Sequence, residues 1–161
     1  MTKQRAGSPS ARLSSLGLTL PAPRQPIANF VAFRRHRDLL FLSGQGPVDP
    51  DGRRRMGKVG GDVTAEQAYD DARLTTLNLL SAATAALGTI DRVDQVIKVL
   101  GFVNAVPEFA AHPQVINGCS DLLVEVFGRE HGRHARSAIG VGSLPGGITV
   151  EIEMIVSVLP D

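Results

Sequence analysis

Tryptophan is absent, tyrosine occurs once, and aromatic residues make up only 4% of the 161-residue chain. So thin an aromatic complement argues against a broad base-stacking surface. A single cysteine, Cys119, excludes an internal disulfide and any multi-cysteine zinc centre. It also fits a reducing compartment, so the expected location is the cytoplasm. The net charge of +1 supplies no field that would gather nucleic acid or a membrane surface. No apolar run approaches the ~20 residues of a bilayer-spanning helix. The N-terminal stretch MTKQRAGSPSARLSSLG contains no acid and no secretory-type apolar core. It shares its basic, serine-rich bias with organelle transit peptides. The simpler expectation is an arm over residues 1–19, partly flexible or with a short helix.

What is present is a chain that is 43% hydrophobic, enough for one globular domain with a sizeable core. The proline-rich segment LPAPRQPI (20–27) reads as an extended lead into that domain, expected over residues 28–158. ANFVAFRRHRD and LLFLSG predict two strands with a turn near Arg37 and Asp38. Residues 46–62, rich in Pro, Gly and charge, predict a long loop. Thr64 and Gln67 form a capping-box pattern ahead of a helix to Leu87, with Ala68, Ala72, Leu79, Ala83 and Ala86 on one stripe. Gly88 suits the position just past that helix.

VDQVIKVLGFVNA is a β-branched strand pattern, and Gln114–Phe127 a second helix with Val115, Cys119, Leu122, Leu123 and Val126 on one side, ended by Gly128. SAIGVGS and ITVEIEMIVSV predict two strands joined by LPGG. The order β-β-α-β-α-β-β describes an α+β two-layer sandwich: a mixed sheet with two helices on one face. Two helices leave the second sheet face uncovered, so other copies of the chain are the expected partners.

Several side chains have both a chemical and a structural reading. Arg136 offers a planar, permanently charged fork for a substrate carboxylate. On the residues alone, an ordinary structural or solvated arginine outweighs that reading. Glu151 and Glu153 point to one strand face, where a carboxylate can serve a water or a proton, or simply face solvent or an interface. With LPGG as a hairpin loop, Ser143 faces Ile148 and Glu151 falls about four residues, about 13 Å, from the level of Arg136. A site shared by the two is therefore expected between chains. Cys119 reads as an inert buried thiol. His112, His131 and His134 have no metal-ligand spacing, and the latter two are expected on a polar loop. Arg34 to Arg37 and Arg53 to Arg55 read as solvated charge beside turns. SGQG (43–46) lacks the pattern of a phosphate-binding loop and suits a tight turn or close approach to a ligand.

LLFLSGQGPVDPDG, the capped helix, VDQVIKVLGFVN and ARSAIGVGSLPGGITVEIE together resemble the Rid (YjgF-like) family, also called endoribonuclease L-PSP, from about Ala28 to Val158. PQVINGCSDLLVEVFGREHGRHARS and the proline-rich lead resemble a longer subgroup. The resemblance implies a chorismate-mutase-like fold and a homotrimer with sheets packed into a central barrel and clefts between subunits. It implies hydrolysis of enamine or imine intermediates, such as 2-aminoacrylate, to a keto acid and ammonia, without metal or organic cofactor. Arg136 matches the family arginine that holds the substrate carboxylate, which reverses the structural reading above. Glu151 matches the carboxylate at the catalytic water, while Ser43, Gly44, Phe30 and Ala138 match cleft positions. Phe30 stands where the deaminase pattern has tyrosine, and Ala138 where it has cysteine. A non-catalytic metabolite-binding trimer is the alternative, and an endoribonuclease the third reading.

Overall fold

The computed structural model describes residues 7–160; the first six residues of the expected arm and Asp161 lie outside the described residues. Eight principal elements follow in the order α1 (Pro9–Ser15), β1 (Phe33–His36), β2 (Leu39–Gln45), α2 (Ala65–Leu87), β3 (Val93–Asn104), α3 (His112–Gly132), β4 (Ala135–Val141) and β5 (Val150–Val158). Short 3₁₀ turns at Ile90–Arg92 and Pro145–Gly147 precede β3 and β5. The sheet order is β1-β2-β5-β3-β4, antiparallel except for the parallel pair β3 and β4. The fold is α+β with a mixed sheet, as its sequence pattern predicts.

Local chemistry sets the boundaries. Thr64 accepts from the Gln67 backbone N–H while the Gln67 side chain accepts from Thr64 N, a complete capping box at the start of α2. Gly88, at φ 82°, ends the helix in the left-handed region that favours glycine. Helix α3 runs further than its apolar stripe suggests, to Gly132, with Gly128 interrupting its backbone at φ 79°. Arg37 takes a positive φ of 56° in the tight β1–β2 connection.

The LPGG segment does not close a β-hairpin, contrary to the sequence expectation. Strand β5 pairs with β2 and β3, and β4 pairs with the opposite edge of β3. The physical reason is the α3 crossover: a strand parallel to its predecessor needs a long connection, and β3–α3–β4 provides it. Strand β5 then fills the place between β2 and β3, where both of its edges are paired. Ser143 accordingly has no strand partner opposite Ile148, which instead bridges to Met56.

The core lies between the sheet and helices α2 and α3. Leu40, Leu42, Val99, Val103, Ile152, Met154 and Val156 supply the sheet side. Ala68, Ala72, Leu79 and Ala83 face them from α2, and Val115, Cys119, Leu122 and Leu123 from α3. Thr149 donates to Asp71 at 2.7 Å, tying the start of β5 to α2 inside this layer. At the N-terminus, Ser10 donates from its amide and hydroxyl to Asp91 at 2.8 and 2.6 Å, and Leu13 is buried. The lead then crosses α2, where Ser81 donates to the Pro21 carbonyl at 2.6 Å.

Helices α2 and α3 approach closely at Gly118, where a Cβ would collide with the Tyr69 backbone carbonyl. The obstacle is backbone and cannot rotate away. Gly118→Ala is expected to destabilise the protein by about 2 kcal/mol or more. Urea unfolding checks this, and an unchanged midpoint contradicts the close-contact account.

Candidate functional site

The matched site residues fall into two groups. One lies on the open face and at the sheet end near the lead. A bulge between Leu42 and Gln45 turns Gly44 toward Glu151. A Cβ at Gly44 would come within 2.5 Å of Glu151 Oε1, so glycine makes room for the carboxylate. Phe30 and Gly44 line a cleft of about 360 Å³ with Gln45 and Ile148. Arg24 and Arg54 also line it, and no carboxylate does, so its charge character favours an anionic ligand. Ser43 does not line this cleft; its hydroxyl donates to Val31 O at 2.7 Å and its amide to Ala32 O, holding the Phe30 segment in place.

The second group lies at the β4 edge. Arg136 and Ala138 are two apart and share the helix side of β4: Arg136 reaches α3, and Ala138 packs on the core. Arg136 Nη1 donates to Asn117 Oδ1 at 2.8 Å and to Ser120 Oγ at 3.0 Å. Its Nη2 reaches the Pro113 carbonyl at 3.4 Å.

Register separates the groups. Arg136 is level with Val99, which pairs with Met154, a buried residue of the helix side. Glu151 is level with Phe102 and, through it, with Ile139. Arg136 and Glu151 thus lie on opposite sheet faces, about 10 Å apart along the strands and about 10 Å across two of them. The separation expected from sequence stands, but β3 intervening between β4 and β5 causes it, where a hairpin offset was predicted.

Burial raises the Glu151 pKa above the usual carboxylate value, and the Glu153 charge raises it further. Burial pushes the Cys119 thiol up to about 12, the inert state read from sequence. His131 and His134 are not simple loop residues. His131 closes α3 against the Asp94 carbonyl at 2.9 Å, and half-buried His134 lies beside Ser120 at 3.0 Å. Sequence reasoning missed Asn117, Ser120 and His134 as partners of Arg136. The available signal was the three-residue spacing of Asn117 and Ser120 on the polar side of α3, ahead of His-Ala-Arg. Among the described residues, no group of three or more His, Cys, Asp or Glu side chains could hold a metal ion. No described helix is long and apolar enough to cross a membrane.

Residues 10–148 match the family described as YjgF/chorismate mutase-like, putative endoribonuclease. Protein TCP17 of Trypanosoma cruzi is 40% identical over 156 residues, 97% of this chain and 98% of that protein. The crystal structure of Atu1372 from Agrobacterium tumefaciens, of unknown function, shares 42% identity at a TM-score of 0.86, covering 93% of this chain and 92% of its own. That of Escherichia coli TdcF with bound serine shares 28% at a TM-score of 0.58, covering 86% and 94%. Mixed-sheet fold and sequence together define the class: the chain belongs to the YjgF/chorismate-mutase-like family, which is the Rid family.

Two measurements check the electrostatics. A carboxyl whose folded pKa is raised costs stability once pH rises above its unfolded value, and the full cost is present above the folded pKa. Glu151→Gln is therefore expected to raise Tm at pH 7 relative to wild type, with the gain shrinking as pH falls toward 4. A gain that grows on acidification contradicts this. Cys119 in the native protein is expected to resist thiol reagents at pH 8 and to react once urea unfolds the chain.

Proposed function

We propose that this protein hydrolyses small carboxylate-bearing enamine or imine intermediates, similar to 2-aminoacrylate, to a keto acid and ammonia. The site is a cleft between copies of a homotrimer. The observation that carries the reading is the split of the matched residues into two half-sites on opposite faces of one sheet. Arg136 and Ala138 form one half, and Phe30, Gly44 and Glu151 the other. Of the residues matched to the family, neither half contains both the arginine and the carboxylate, so in this reading a neighbouring copy completes the site.

In the reaction, water adds to the C=N carbon of the imine, and the resulting carbinolamine expels ammonia as its C–N bond breaks. Arg136 holds the substrate carboxylate and fixes the carbon in place. Glu151 of the adjoining copy takes a proton from the water and returns one toward the departing nitrogen. Its raised pKa brings the carboxyl closer to neutral pH, where it can do both. The bound serine of the Escherichia coli relative has the small amino-acid carboxylate that such a clamp would take. The single-domain span 28–158 and the cytoplasmic location belong to the same proposal.

Phe30 and Ala138 favour a second reading, a trimer that binds keto acids without turning them over, since neither side chain supplies a hydroxyl or thiol. The ribonuclease reading has only the family description behind it, and the aromatic-poor composition opposes it.

Ammonia release from enzymatically generated imines tests the proposal. Arg136→Ala and Glu151→Gln are each expected to reduce the catalysed rate at least about a hundredfold. Refolded together, they should regain activity, because about a quarter of the seams in mixed trimers combine an intact Arg136 with an intact Glu151. If wild type leaves the uncatalysed rate unchanged across several imines but still binds keto acids, the binding trimer replaces the hydrolase. Absence of recovery on mixing removes the shared site.

A further inference from the structure

The side chains around Arg136 form a directional chain that determines which part of its guanidinium is free. The Gly132 carbonyl can only accept, so its 2.7 Å contact with His134 Nδ1 puts the proton on that nitrogen. In the neutral ring Nε2 is then an acceptor, and the Ser120 hydroxyl donates to it across 3.0 Å. With its proton committed, Ser120 turns a lone pair toward Arg136 Nη1 at 3.0 Å. Asn117 Oδ1 accepts the other Nη1 hydrogen at 2.8 Å.

Both Nη1 hydrogens are thereby engaged. Nη2 has one long contact, to Pro113 O at 3.4 Å, and Nε has no hydrogen-bond partner among the described residues. The Nε–Nη2 edge offers two parallel N–H donors, the geometry that matches the two oxygens of a carboxylate.

We propose that His134, acting through Ser120, is a positioning residue that makes the Nε–Nη2 edge of Arg136 the ligand-facing edge. The inference rests on the reading of Arg136 as the carboxylate clamp and adds to it the residues that aim the clamp. Burial, assisted by the Arg136 charge and opposed by the Gly132 carbonyl, lowers the His134 pKa below its ordinary 6.5. At pH 7 the ring therefore stays in the neutral form that accepts from Ser120. Asn117 alone leaves the guanidinium free to swing about one bond; Asn117 and Ser120 together hold its plane.

Calorimetric titration of the full-chain protein with 2-oxobutanoate tests this, with ¹⁵N NMR of the histidine rings and thermal unfolding on the same samples. Ser120→Ala and His134→Leu are expected to weaken binding about tenfold each. In turnover, the loss should appear mostly as a higher KM, with a smaller fall in kcat because the clamp also places the reacting carbon. His134→Gln, whose Oε1 can accept in place of Nε2, should keep affinity within about twofold of wild type, as should Ser120→Thr. The wild-type ring should show protonated Nδ1 and bare Nε2, and its Nε2 resonance should move on ligand addition. An Nε2-protonated ring overturns the positioning role even if His134→Leu does not fold. So does wild-type affinity in Ser120→Ala or His134→Leu while Arg136→Ala has lost binding. Undiminished binding in Arg136→Ala, or none in wild type, removes the clamp reading itself, and this inference with it.

Discussion

Two helices cover one face of a five-stranded sheet, and most of what is distinctive about the molecule follows from that unequal coverage. The covered side is a continuous core, with Val99, Ile152, Met154 and Val156 fully or nearly fully buried beneath α2 and α3. The other side carries Phe41 and Ile139 at 41% and 45% exposure, with Phe102, Glu151 and Ile155 level with them across the strands. An apolar surface of this kind carries an unfavourable free energy for as long as it faces water. Identical copies are the simplest cover, because the same patch recurs on each and a closed ring satisfies all of them.

The parallel pairing of β3 and β4 decides where Arg136 and Glu151 lie relative to that asymmetry. Because α3 carries the chain back across the sheet, β4 lies at an edge and holds Arg136 against the helix that delivered it. Strand β5 is inserted on the other side of β3, with Glu151 facing away from the helices. A β4–β5 hairpin would have placed the two strands side by side. The observed topology separates Arg136 and Glu151 by a strand and by a sheet face. The face that exposes Phe41 and Ile139 is also the face that carries Glu151, whereas Arg136 lies on the helix side at the sheet edge.

Which parts were legible in the sequence has a physical explanation. Thr64, Gln67 and Gly88 act within a few residues of themselves, so the bounds of α2 can be read from local pattern. The β-branched run of β3 and the apolar alternation of β5 are similarly local. Strand order is not, since Pro145, Gly146 and Gly147 look the same whether the chain reverses into a hairpin or passes to another strand. The length of β5 and its regular burial of alternate residues fit a strand paired on both edges, but do not name its neighbours. At the site, the family pattern pointed to Arg136 and Glu151, whereas Ser120 and His134 are joined only by folding. His134 looked like loop charge because its partners, Gly132 and Ser120, depend on how α3 ends.

Glu151 shows what this arrangement costs. A half-buried carboxylate seated against Gly44, with Glu153 on the same face, is held less willingly in its charged form than in water. An apolar side chain at this position would make a single chain more stable. The same environment gives the carboxyl a raised proton affinity, the property on which the proposed exchange of protons with water would draw.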